Sequence, residues 1–266
     1  MDDMKRISII LVSLLCGLIS ATAHAADWRA SPAVDQVFKE AGLHGTFIVY
    51  DVTADRYTYH DRKRAETRYI PASTFKIANS LIGLEVGSVA NVDEVLPYGG
   101  KPQRLKMWEH DMSLREAIKI SNVPVYQELA RRTGLQRMRE QLKRIGYGNQ
   151  QPGAVVDTFW LVGPLKISAL EQTRFLARLA QDRLPLSKEA MAAVRDITLV
   201  ERTDSYELHA KTGRTGKPND LGWWVGWVRK DGKLYTFALN ADILKEDDSD
   251  KRIPVARASL KALGLL

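Results

Sequence analysis

The stretch 72–86 constrains this chain more than any other. Phe75, Ile77, Ala78, Leu81, Ile82, Leu84 and Val86 put apolar side chains on nearly every face of the helix it predicts, and Gly87 follows as a stop signal. A helix that is apolar all round has to be enclosed by the rest of the fold. Enclosure gives unusual chemistry to two of its residues. Ser73 and Lys76 lie three positions apart, which makes them neighbours on a helix surface. Burial disfavours the ammonium form of a lysine, and a neutral amine beside a serine hydroxyl is able to take its proton or react as a nucleophile itself. Unpaired backbone N–H groups of a first turn suit a developing oxyanion. By itself S-x-x-K also reads as a helix cap and a solvated lysine.

The elements around this helix fall into three blocks. Ser31 and Pro32 open a helix that runs to Ala41 and stops at Gly42; a strand over 45–51 and another over 57–59 then predict a hairpin. Residues 97–102, with Pro97, Gly99, Gly100 and Pro102, read as an irregular loop. The middle block is helical. Ser113 and Glu116 have the spacing of a capping box for a helix toward Ile120, and Ser168 with Glu171 repeats it for a helix to about Gln181. Pro124 interrupts the pattern, so Ser121, Asn122 and Val123 are expected on a sharp turn before helices over 125–133 and 136–145. Residues 155–163 read as a loop with apolar residues, and Ser187 opens a further helix. From Tyr206 the periodicity changes to that of strands, over 207–212, 222–228 and 234–240; Asp231-Gly232 marks a hairpin between the last two, and a closing helix spans about 253–262. One α/β domain is expected over 26–266, with an antiparallel sheet built from both ends of the chain and a helical region inserted between them.

The first 25 residues are read apart from that fold. Lys5 and Arg6 precede an apolar run over 7–19, and Ala23-His24-Ala25 has the small-x-small form of a cleavage site. Export is expected, with cleavage near Ala25 and a periplasmic destination, leaving no membrane attachment. Cys16 is the one cysteine and leaves with that segment. The formal charge of +7 is spread among acidic residues without a long single-sign block, which argues against a nucleic-acid partner. His44, His60, His110 and His209 show no metal-ligand spacing, and neither a nucleophile elbow nor a nucleotide-binding glycine motif is present, so no metal or cofactor is expected.

Several short motifs occur in one order. Ser73-x-x-Lys76 is followed by Ser121-x-Val123, Tyr147-Gly148-Asn149, Trp160-x-x-Gly163 and Lys211-Thr212-Gly213. The set resembles the penicillin-recognising serine enzymes, and most closely the class D serine β-lactamases, the oxacillinases, over essentially all of 26–266. The resemblance implies a β-lactamase/transpeptidase-like fold and hydrolysis of β-lactam antibiotics through a Ser73 acyl-enzyme, giving resistance. It further implies that Lys76 is carboxylated by CO2 to a carbamate that acts as general base, held by the Trp160 indole. Ser121 would pass a proton toward the leaving nitrogen. Val123 and Leu161 would cover the carbamate, and the backbone N–H groups of Ser73 and Arg214 would form the oxyanion hole beside Gly213. Lys211, Thr212 and Arg252 would receive the substrate carboxylate. Arg252 rests on its distance after the last strand, and its bland reading is a surface arginine. Arg214 stands where relatives often carry an aromatic or apolar residue, which leaves the substrate range open, carbapenems included. A homodimer also stays open. Two rivals remain on the same residues, a peptidoglycan D,D-peptidase and a β-lactam sensor that acylates once.

Overall fold

The computed structural model of the protein describes residues 26–218 and 220–266; the expected signal peptide, Cys16 and Asn219 lie outside the described residues. Both ends of the described chain build one seven-stranded sheet. Its spatial order is Asp27–Ala30, Arg56–His60, Gly45–Asp51, Lys233–Asp242, Leu221–Lys230, Tyr206–Arg214 and Leu199–Arg202. Helices from Lys76–Glu85 to Lys188–Thr198 are inserted between the N-terminal and C-terminal strands, as the change of periodicity predicts.

The sheet is mixed rather than wholly antiparallel. Asp27–Ala30 pairs in parallel with Arg56–His60, while the other pairings are antiparallel. Helix Pro32–Ala41 returns the chain so that Gly45–Asp51 runs opposite to Asp27–Ala30, and the second arm of the hairpin slots between them. That edge strand and Leu199–Arg202 at the other edge are four residues each, with no buried residue, and are too short for a period of two to reveal them.

Each face of the sheet has its own core. Pro32–Ala41 and Asp248–Ala262 cover one face through Val34, Phe38, Phe47, Trp224, Phe237 and Leu260. The larger core on the other face joins Ile48, Trp223 and Val225 to the central helix residues Phe75, Ile77, Leu81 and Ile82 and to Phe175 and Leu179. Leu114, Ile118, Val125, Tyr126 and Leu129 form a third cluster within the helical region. Both capping boxes are made, by Ser113 with Glu116 and by Ser168 with Glu171.

Three local expectations change. The buried segment starts as a tight 3-10 turn, Ala72–Phe75, and becomes α-helical only at Lys76–Glu85. Both the backbone N–H and the hydroxyl of Thr74 bond to the Pro71 carbonyl, at 3.2 and 2.7 Å, which closes the turn at three residues. Pro124 sits in the first turn of Val123–Thr133, where proline costs no hydrogen bond, and Asn122 caps that helix by accepting from the Val125 N–H at 3.0 Å. Phe159–Val162 forms a short helical turn instead of a loop, because burial of Phe159 and Trp160 fixes it against the Ser73 turn. Among the described residues no helix is long and apolar enough to cross a membrane.

Gly226 lies under the centre of the sheet, where an added Cβ would come within 2.0 Å of the His209 carbonyl oxygen. A backbone oxygen inside a ladder has nowhere to move. Gly226→Ala should therefore lower the unfolding free energy by about 3 kcal/mol, read from a urea midpoint; an unchanged midpoint would show that the ladder gives way there.

Candidate active site

The tight turn at 72–75 holds Ser73 beside the first residue of the central helix. Ala72 adopts φ +49°, a left-handed conformation that costs energy for a residue with a Cβ and persists only where the surroundings impose it. The two bonds from Thr74 to the Pro71 carbonyl close the turn around Ala72, and the Lys76 Nζ donates to Ser73 Oγ at 2.8 Å. Lys76 is 0% exposed, with no carboxylate within ion-pair distance among the described residues. Desolvation drives its pKa well below the usual lysine range, and the positive charge of Lys211 pushes it further the same way. Its Nζ also lies 5.2 Å from the centre of the Tyr126 ring.

A second serine and lysine face this pair. Ser121 takes φ +56° at the junction of two helices, where the Asn122 N–H returns to the Ala117 carbonyl at 2.8 Å and its amide donates to the Trp108 carbonyl at 3.2 Å. These bonds aim Ser121 at the sheet edge. Lys211 Nζ donates to Ser121 Oγ at 3.1 Å and to the carbonyl and hydroxyl of Thr212 at 3.2 and 3.3 Å. Lys211 is almost wholly buried; desolvation, with a smaller push from Arg252, lowers its pKa to about 7.

Glycines explain how the strand and the turn approach. A Cβ on Gly213 would stand 3.0 Å from the Pro71 carbonyl oxygen and 3.3 Å from the Thr74 nitrogen, so the Lys211 strand lies directly against the Ser73 turn. Gly222, paired with Arg214 in the ladder, leaves the space that Arg252 fills: a Cβ there would be 2.3 Å from Arg252 Cδ. Arg252 donates to the Gly213 carbonyl at 2.5 Å and to Ser249, which makes it a cleft residue rather than a surface arginine. The Arg214 guanidinium is turned away and held by Asp220 at 2.7 Å and Glu246 at 3.3 Å. Its backbone behaves differently. Thr215 N–H bonds the Leu221 carbonyl at 3.0 Å, and bonded and non-bonded pairs alternate along an antiparallel ladder, so the Arg214 N–H points out of the ladder toward the cleft.

Trp160 is fully buried and packs against Phe75 at 5.5 Å, yet its indole N–H has no hydrogen-bond partner. Val123 and Leu161 are half-buried. The Tyr147, Gly148 and Asn149 motif supports this wall from behind: Asn149 bonds Pro164 and Lys166, at 2.9 and 3.0 Å, and Gly148 passes the Lys166 carbonyl where a Cβ would come within 2.1 Å. Gln172 ties the wall to the nucleophile turn, donating to Thr74 Oγ1 at 2.9 Å. Gln172 has no signal of its own in the sequence, and Asn122 is expected there only as a turn residue. Gln172 falls inside a regular helical signal, whereas Gly222 in an otherwise bulky apolar strand hints at the space that Arg252 fills. No cluster of three or more metal-ligating side chains occurs among the described residues.

The scaffold is that of the penicillin-binding transpeptidases, and residues 45–261 match the family described as penicillin binding protein transpeptidase domain. Relatives divide that class more finely. Beta-lactamase OXA-5 of Pseudomonas aeruginosa is 38% identical over 99% of both chains, and Beta-lactamase OXA-48 of Klebsiella pneumoniae is 35% identical over 97% of this chain and 98% of its own. Among solved structures, the class D β-lactamase FUS-1 (OXA-85) of Fusobacterium nucleatum subsp. polymorphum superposes with a TM-score of 0.86 at 43% identity, covering 90% of this chain and 100% of that one. The chain belongs to the class D serine β-lactamases.

A buried lysine held below its usual pKa makes the native state bind fewer protons than the unfolded chain. Its destabilising effect is therefore complete below the folded-state pKa and fades as pH rises toward the unfolded value of 10.5. In CO2-depleted buffer Lys76→Met should raise stability near neutral pH by about 2 kcal/mol, with the gain shrinking as pH is raised toward 10. Urea unfolding across that range checks it; a variant less stable than the parent at every pH would contradict the assignment.

Proposed function

We propose that the protein hydrolyses the β-lactam amide of penicillin-type antibiotics through an acyl-enzyme on Ser73, with carboxylated Lys76 as the general base, and so confers resistance. The observation that carries this reading is the 2.8 Å contact between Ser73 Oγ and an amine that is fully buried without a counter-ion. Only an uncharged amine adds CO2, and desolvation favours that form here. The unpartnered Trp160 N–H supports the same modification, since a carboxylate on Lys76 would give it an acceptor.

In this mechanism Lys76, as carbamate, takes the Ser73 proton while Oγ bonds to the lactam carbonyl carbon. The N–H groups of Ser73 and Arg214 stabilise the oxyanion. As the carbon–nitrogen bond breaks, Ser121 delivers a proton to the ring nitrogen, and Lys211, with a pKa of about 7, is poised to replace it. Lys211, Thr212 and Arg252 receive the substrate carboxylate. The proton held on Lys76 then replenishes the Ser121 and Lys211 pair, after which Lys76 takes a proton from water as the water oxygen bonds to the ester carbonyl carbon, and that proton passes to Ser73 Oγ as the ester carbon–oxygen bond breaks. Val123 and Leu161 cover the carbamate and control that water. No cofactor enters these steps. We infer that residues 26–266 act as one catalytic domain, exported to the periplasm after cleavage near Ala25.

Mixing purified protein with a penicillin and following both hydrolysis and intact mass tests the reading. Many turnovers with only a transient adduct, absent in Ser73→Ala, are expected. A lasting one-to-one adduct without turnover would instead mark a D,D-peptidase or a sensor. Trp160→Phe should slow deacylation about a hundredfold, so that the adduct accumulates, and added bicarbonate should restore part of the rate; wild-type turnover in this variant would remove the indole from the mechanism.

A further inference from the structure

Tyr147-Gly148-Asn149 stands in the motif series, yet the mechanism above gives its tyrosine no part. Tyr147 is fully buried, set edge-on against Phe75 of the nucleophile turn and against Phe175, with ring centres at 5.5 and 5.0 Å. Its hydroxyl accepts from Gln172 Nε2 at 3.4 Å and bonds Thr74 as well. Burial raises the Tyr147 pKa, so near neutral pH the hydroxyl keeps its proton and remains a donor. Gln172 is buried too, and the second N–H of its amide reaches Thr74 Oγ1 at 2.9 Å. The direction of these bonds is fixed. The Thr74 hydroxyl gives its one proton to the Pro71 carbonyl at 2.7 Å, so toward Gln172 and Tyr147 it can only accept. Two donors thus converge on one hydroxyl and polarise its bond to Pro71.

That bond governs a spacing. The Pro71 carbonyl closes the turn that carries Ser73, and a Cβ on Gly213 would meet the same oxygen at 3.0 Å. Arg214 follows Gly213 in the strand. One carbonyl therefore touches both segments that carry the N–H groups assigned to the oxyanion. We infer that Gln172 and Tyr147 are positioning residues for the oxyanion hole, holding Thr74 on Pro71 so that the N–H groups of Ser73 and Arg214 keep the spacing a tetrahedral intermediate requires. Both act through Thr74 rather than on the substrate. This role rests on the proposed acyl-enzyme chemistry and gives the tyrosine of the motif a task within it. A loosened turn lets Ala72 leave its left-handed conformation, φ +49°, and the Ser73 N–H moves with it. A displacement of about 1 Å in such a group costs on the order of a hundredfold in rate.

Gln172→Leu keeps most of the bulk and removes both donors. Single-turnover mixing of this variant with a penicillin should show acylation and deacylation each slowed by about a hundredfold. The dissociation constant of the initial complex should stay unchanged, and so should the carbon-13 carbamate signal of Lys76. Tyr147→Phe should slow both steps about fivefold. Because the effect passes through Thr74, adding Gln172→Leu to Thr74→Val should slow acylation no further than Thr74→Val does alone. A merely structural role would lower the unfolding temperature and leave the rates of the folded enzyme as they are, and that result would overturn the inference. Loss of the carbamate signal, or effects that multiply in the double variant, would overturn it as well. If Gln172→Leu does not fold, Tyr147→Phe and Thr74→Val decide by the same readings. A wild type that forms no acyl adduct would sink the hydrolase reading itself, a result distinct from variants that match a competent wild type.

Discussion

Everything in this molecule is arranged around one desolvated amine. Taking Lys76 out of water without a carboxylate partner is costly, and the fold bears that cost because the helix carrying it is enclosed on every side. The sheet closes one side through Trp223 and Val225, the helical insertion closes another, and the Phe159–Val162 turn seals the approach with Trp160. In the proposed mechanism the same enclosure that lowers stability favours an uncharged amine, open to CO2, next to the nucleophile. Stability and chemistry are traded at a single residue.

The opposite wall follows from where the two ends of the chain meet. The Lys211 strand reaches the nucleophile turn because Gly213 carries no side chain between them, and Arg252 reaches the Gly213 carbonyl because Gly222 leaves a channel through the neighbouring strand. Arg214, whose side chain looked from the sequence like a complication in the cleft, is drawn off by Asp220 and Glu246, so its backbone alone faces the site. Burial, with a smaller push from Arg252, lowers the Lys211 pKa to about 7, so that it exchanges a proton around neutral pH instead of standing as a fixed cation. In the proposed mechanism a binding group for a carboxylate thereby also serves as a proton carrier.

Much of this was legible in order of residues. The apolar helix announced its own burial, and the capping boxes at Ser113 and Ser168 set helix starts that the structure retains. The motif series marked Ser73, Lys76, Ser121 and Lys211, which the fold then gathers from three separate elements. What stayed hidden was set by tertiary packing. The 3-10 geometry of 72–75 depends on Thr74 bonding Pro71 twice, the edge strands are too short to show a period, and the positive φ values at Ala72 and Ser121 have no signature in residues that normally avoid them. Gln172 looks like any polar residue of an amphipathic helix until Thr74 is seen beside it.

The central claim is that Lys76 is uncharged in the native protein and open to CO2. Carbon-13 NMR of protein equilibrated with labelled bicarbonate near neutral pH tests it most directly. The account predicts a single carbamate carbonyl resonance that disappears in Lys76→Met. A spectrum without that resonance, together with a Lys76 amine that titrates near the ordinary value of 10.5, would contradict it.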